Sequence, residues 1–173
     1  MIRFYFRPEN KKQMKRVLIP TDFTVESLQL IEYAVLNFPK TPLEVILVSG
    51  FKLPDTRWGI THFSEKREIN KFTTESFAKA KQTFIREHSD TIGNVHVRLF
   101  TGYNSLAFQN FSEQLQAHDA IVPKGKFLHY SNANSFDPTR YIRKNVTNVI
   151  EIPLETSRVV QKSKFSISGL LNL

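Results

Sequence analysis

The chain contains no cysteine. Disulfides and thiolate-held metal sites are therefore excluded. Long apolar runs are also missing, and no stretch approaches the roughly 20 residues that cross a bilayer. The opening Met1-Ile2-Arg3-Phe4-Tyr5-Phe6-Arg7 is interrupted by arginine and lacks the apolar core of a secretory leader. The expectation is a cytoplasmic protein. Signatures of catalysis are equally sparse. The histidines at 62, 88, 96, 118 and 129 show no metal-ligand spacing. There is no Gly-x-Ser-x-Gly elbow and no Walker loop. No pair of carboxylates stands out as acid and base. No catalytic residue, no metal site and no enzymatic activity are expected.

What is present is ordinary globular material: 173 residues, 40% hydrophobic and 23% charged, with fifteen phenylalanines for an aromatic interior. That length suits one domain with a sizeable core. The net charge of +8 is unevenly placed. Residues 1–16 carry net +5, residues 17–123 net −2, residues 124–144 net +4 and the remainder net +1. Such basic segments attract anions or nucleic acid, and also occur as solvated surface. Tyr130, Phe136 and Tyr141 near the second segment allow a nucleic-acid reading, though no nucleic-acid motif accompanies them.

The pattern centres on Arg16-Val17-Leu18-Ile19-Pro20-Thr21-Asp22-Phe23-Thr24. Val17 to Ile19 form the short apolar run of a strand buried on both faces. Pro20 ends it, since proline cannot donate to a ladder. Thr21, Asp22 and Thr24 are capping types, and Leu28, Ile31, Val35 and Phe38 then recur at helical spacing. A second strand is predicted over 43–48, closing at Ser49-Gly50. Residues 51–70 form a long connection, which at that length is either functional or holds structure the pattern does not reveal, and Trp58 in it reads as an apolar lid over the core.

Thr73 or Thr74 caps the next predicted helix, whose face is Phe77, Ala80, Phe84 and His88, with Gly93 as its stop. Val95, Val97 and Leu99 alternate as a third strand. Asn104 caps a helix containing Leu106, Phe108, Phe111 and Leu115. A fourth buried strand covers 120–122, followed by Pro123-Lys124-Gly125. Residues 126–136 read as loop, and Asp137-Pro138 opens a short helix bearing Tyr141 and Ile142. A fifth strand is predicted over 146–152. Extra strands are predicted at 2–6 and 164–168. Strands separated by helices imply crossovers and a parallel sheet.

In the order and spacing of these pieces, residues 16–153 resemble the universal stress protein family. The best local matches are Val17 to Thr24 followed by Ser27-Leu28, the 43–48 strand, Asp119 to Val122, and 146–153. The resemblance implies a doubly wound α/β domain: a five-stranded parallel sheet, first strand central, helices on both faces. Residues 1–15 and 154–173 would be extensions. It also implies a homodimer built through the last strand (Val146, Val149, Ile150, Ile152), and a regulatory, stress-response role.

ATP-binding members carry Gly, two residues, Gly, nine residues, then Gly-Ser or Gly-Thr after the fourth strand. Bare amides there approach the phosphates. Gly125 matches the first glycine, but Leu128 and Pro138 stand at the other glycine positions, and no glycine occurs between 126 and 144. The phosphate cradle is largely missing while Pro20-Thr21-Asp22 remains.

The reading is a domain that is not a classical ATP binder and has no cofactor. The alternative is a sensor that holds ATP, AMP or another anion at the carboxyl edge of the sheet. Its candidate ligand-binding residues are Pro20, Thr21, Asp22, Ser49, Gly50, Lys124, Gly125, Lys126 and Thr139. Asp22 either contacts a ribose or base, or braces its own turn. The glycines either admit a ligand or serve turn geometry. Lys124, Lys126, Arg140, Arg143 and Lys144 either hold phosphate or form a basic surface, the last three complementing a helix end. A third reading is a basic nucleic-acid binder.

Overall fold

A computed structural model describes residues 13–154. The predicted strands at 2–6 and 164–168, and most of the basic arm, lie outside the described residues.

Val17, Leu18 and Ile19 are fully buried in β1 (Lys15–Pro20). Successive strand residues point to opposite faces. Val17 and Ile19 therefore enter one core while Leu18 enters the other. This is why the run is continuous rather than alternating. A 3-10 turn (Glu26–Leu28) and α1 (Gln29–Asn37) lead to β2 (Leu43–Phe51). Then come α2 (Arg57–Thr61), α3 (Glu65–Phe72), α4 (Glu75–Glu87) and β3 (Ile92–Phe100). The chain returns through α5 (Ser105–Gln114) to β4 (Asp119–Pro123). It finishes with β5 (Ser135–Phe136), α6 (Thr139–Asn145) and β6 (Asn148–Ile152).

The main sheet order is β3-β2-β1-β4-β6, and every pairing along it is parallel. β1 is central, as expected. Two ion pairs fasten the amino ends of the strands: Arg16 Nε to Glu44 Oε2 at 2.7 Å, and Lys15 Nζ to Asp119 Oδ2 at 2.9 Å. One core holds Leu30, Ile31 and Ala34 of α1 and Phe77 of α4 against the sheet. The other holds Phe108 of α5 and Tyr141 and Ile142 of α6. The sheet is thus doubly wound, and its order reverses between β1 and β4. Ligands in such sheets sit at that reversal, outside the carboxyl ends of the strands.

Several local expectations are corrected. Residues 51–70 hold all of α2 and most of α3, so of the two readings of this long connection the one with unrevealed structure holds. Trp58 is no lid: it is 76% exposed and lies against His62, the rings tilted by 31° with centres 3.7 Å apart. It sits on α2, which buries none of its residues. Gly93 does not stop α4. That helix ends at His88, whose carbonyl takes the Thr91 and Ile92 amides at 2.9 and 2.7 Å, and Gly93 lies within β3. The 126–136 loop contains β5, which runs antiparallel to β2 through Gly50–Phe136 and Phe51–Ser135. The last strand starts at Asn148, two residues later than its apolar pattern suggests. The predicted caps Thr74 and Asn104 do accept the Phe77 and Ala107 amides, at 3.2 and 2.8 Å.

Candidate functional site

The turn after β1 is a compact hydrogen-bonded unit. Thr21 is fully buried, and its hydroxyl lies 2.8 Å from Ser27 Oγ. Thr21 Oγ1 also accepts the Phe23 amide at 3.1 Å. Phe23 has a positive φ of 63°, unusual for a bulky residue. Its ring repays the strain by packing 5.3 Å from Phe72 and 5.6 Å from Phe77. Asp22 Oδ1 accepts the Thr24 amide at 3.0 Å and the Thr24 hydroxyl at 2.5 Å. Thr24 Oγ1 in turn accepts the Ser27 amide at 3.2 Å.

The second oxygen of Asp22 is engaged from far along the chain. Oδ2 accepts the backbone N–H of His129 at 2.8 Å. The next residue, Tyr130, donates its hydroxyl to the Thr21 carbonyl at 2.8 Å. Burial, reinforced by the Asp137 and Asp22 carboxylates, pushes the Tyr130 phenol well above its ordinary range, with Ser49 pulling weakly the other way. The hydroxyl therefore stays neutral and donating. Further on, Phe136 stands directly against Gly50. A Cβ placed on Gly50 would lie 2.4 Å from that ring and 2.5 Å from the Phe136 carbonyl. Lys52 N–H donates to Asn134 O at 2.7 Å, so the segment is stitched to the end of β2.

Residues 126–136 thus run over the carboxyl edge of the sheet and occupy the contacts that the crevice at Asp22 offers. Pro20, Thr21 and Ser49 are buried. Asp22 is half-buried, and Gly50 is covered by Phe136. Lys124, Gly125 and Lys126 form an exposed turn beyond β4, where Gly125 has φ 95° and open space beside it. Thr139 is only 4% exposed, and its hydroxyl has no hydrogen-bond partner among the described residues. The structure brings Thr21, Asp22, Ser49 and Gly50 together around the inserted segment. It leaves the two lysines outside and Thr139 in the interior.

Arg143 serves the scaffold: it donates to the Pro123 carbonyl at 2.6 Å and to Glu151 Oε1 at 2.7 Å. Among the described residues no three His, Asp or Glu side chains gather to hold a metal. No described helix is long and apolar enough to cross a membrane.

His129, Tyr130 and Phe136 are contributors that sequence reasoning did not place at this crevice; it named the two aromatics only beside the basic segment. Their signal was indirect. Where the glycine pattern would leave bare backbone, this chain has bulky side chains.

No protein-family profile matches the chain, and no curated protein matches it. Solved structures of the universal stress protein family do match. A family member from Burkholderia pseudomallei is 11% identical, with a TM-score of 0.48, covering 81% of this chain and 96% of its own. A universal stress protein in complex with cAMP is 14% identical, with a TM-score of 0.47, covering 82% and 98%. The universal stress protein UspA from Lactobacillus plantarum is 12% identical, with a TM-score of 0.44, covering 81% and 98%.

Proposed function

We propose that this is a universal stress protein-like regulatory domain that works through protein contacts as a homodimer, without classical ATP binding, a cofactor or catalysis. One observation carries the reading: the chain fills its own crevice. Both oxygens of Asp22 are engaged, Tyr130 is bonded to the Thr21 carbonyl, and Phe136 covers Gly50. A nucleotide at this edge would have to displace the Tyr130 and Phe136 side chains and the His129 amide, and break the β5 pairing. It would receive no run of bare glycine amides in return.

Thermal unfolding in millimolar ATP, AMP and inorganic phosphate tests this. A ligand that binds only the folded state at ten times its Kd adds about 1.4 kcal/mol and must raise the midpoint. The expected result is no shift with any of the three. A rise with ATP or AMP that vanishes in Asp22→Ala would overturn the reading in favour of a nucleotide sensor. A rise shared by all three and retained in Asp22→Ala would indicate a general anion site at the Lys124–Lys126 turn.

A further inference from the structure

Beyond the ends of β2 and β3 the protein has a second hollow, a cavity of about 820 Å³. It is separate from the Asp22 crevice. Phe136, which stands against Gly50, is one of its walls, and neither Asp22 nor Ser49 lines it. Its size falls within the range of small-molecule pockets. The hollows at the opposite, amino edge of the sheet are smaller, at about 420, 320 and 260 Å³. Their charged residues Arg16, Glu44 and His96 are already engaged with one another.

The walls of the large cavity are mainly apolar and aromatic. Leu53, Pro54 and Ile60 come from the chain after β2, and Tyr103 from the chain after β3. Ile60 is 51% and Tyr103 86% exposed, a heavy concentration of uncovered apolar surface at one place. Such surfaces take planar rings, because aromatic groups add face and edge contacts to burial.

Arg140 supplies the polar anchor. Its guanidinium lies 4.6 Å from the ring centre of Tyr141 and donates to Tyr141 Oη at 2.6 Å. Tyr141 donates onward to the Tyr103 carbonyl at 2.8 Å. The guanidinium is therefore held in place by a stack and one hydrogen bond, and it makes no ion pair among the described residues. Its remaining N–H groups match the two oxygens of a carboxylate. Lys52 adds a second cation, while Asp55 and Asp137 add two anions. Two carboxylates on the lining disfavour a polyanion by like-charge repulsion but leave a single negative charge acceptable on the cations.

We propose that this cavity binds a small aromatic monoanion of the aromatic carboxylate class, its ring on the Tyr103, Ile60 and Phe136 walls and its carboxylate on Arg140. The site is independent of whether a nucleotide binds at Asp22, so either reading can fail without the other.

The test titrates naphthalene-2-carboxylate, and separately its uncharged amide, into the full chain while following backbone amide resonances. The carboxylate is expected to shift Gly102 and Tyr103 saturably and to leave the Asp22 and His129 amides in place. Arg140→Gln should weaken carboxylate binding about tenfold, the loss of one charge-assisted contact, and leave the amide's affinity unchanged. Arg140 is exposed, so the variant should fold. If it does not, the acid-against-amide comparison on the unaltered chain decides. No saturable shift, shifts centred on Asp22, or equal affinity for acid and amide would each overturn the proposal.

Discussion

At the scale of residues, Asp22 and Tyr130 act as a pair of clasps. Asp22 accepts two donors from Thr24 and one from His129, 107 positions away. Asp22→Ala leaves these donors to water or to nothing and should cost about 1–2 kcal/mol in urea unfolding, a typical sum for cap-like bonds. Asp22→Asn, which keeps one acceptor, should lose less. Tyr130 makes a distinct pH prediction. Its folded-state phenol is raised above the unfolded value of about 10. The stability it contributes is thus fully present below that pH and is lost as pH climbs above it, because only the unfolded chain releases the proton. Tyr130→Phe should lower stability by about 1 kcal/mol at neutral pH. Above pH ~10 the wild type should lose about 1.4 kcal/mol more per pH unit than the variant, so the gap closes and reverses. Parallel denaturant curves between pH 8 and 11 would show it, and a constant gap would refute it.

At the scale of elements, what was readable depended on how local the cause is. β1, β2 and β4 announce themselves through apolar runs, and α4 and α5 through Thr74 and Asn104, because burial and capping are written within a few residues. α3 went unread although Ser64 caps it, accepting the Arg67 amide at 3.4 Å. It is short and highly charged, and is held by distant partners: Phe72 against Phe23, and Glu65 Oε1 accepting Arg98 Nε and the Leu99 amide, each at 2.8 Å. The Leu99 contact occupies an amide on the outer side of β3, an edge strand, which blunts that edge. β5 has only two residues and therefore no periodicity to read. The candidate site divides the same way. The Thr21–Asp22 turn was legible because its cap chemistry is local. The segment closing over it was not, since nothing near His129 or Tyr130 names Asp22 or Thr21 as a partner. β5 depends on the lack of a side chain at Gly50. Gly50→Ala would drive a Cβ into the Phe136 ring and carbonyl and should cost about 1–3 kcal/mol, the usual effect of overpacking. Amide exchange at Lys52, whose N–H bonds Asn134 O, should accelerate while Leu18 in the central strand stays protected. Unchanged Lys52 exchange would show that β5 tolerates the added atom.

At the scale of the molecule, the open question is the far edge of the sheet. β3 is partly covered by α3, whereas β6 pairs with β4 on one side only among the described residues. Unpaired edges invite a second strand, and the proposed homodimer would use this one. Ladder geometry says which atoms are free. In a strand, a residue's N–H and C=O point to the same side, and successive residues alternate. Asn148 N–H bonds His118 O at 2.9 Å and Ile152 O accepts Lys124 N–H at 2.7 Å, so 148, 150 and 152 face β4. Val149 and Glu151 therefore direct their backbone groups outward. Proline at 151 removes an outward donor without touching the β4 ladder. The substitution also breaks the Arg143–Glu151 ion pair at 2.7 Å, an exposed pair worth at most about 1 kcal/mol. Glu151→Ala controls for that loss. Sedimentation equilibrium should find the wild type and Glu151→Ala dimeric and Glu151→Pro monomeric but folded. A monomeric wild type would remove the dimer from the functional proposal. A dimeric Glu151→Pro would move the interface away from the β6 edge, onto a face that does not use the outward amides of that strand.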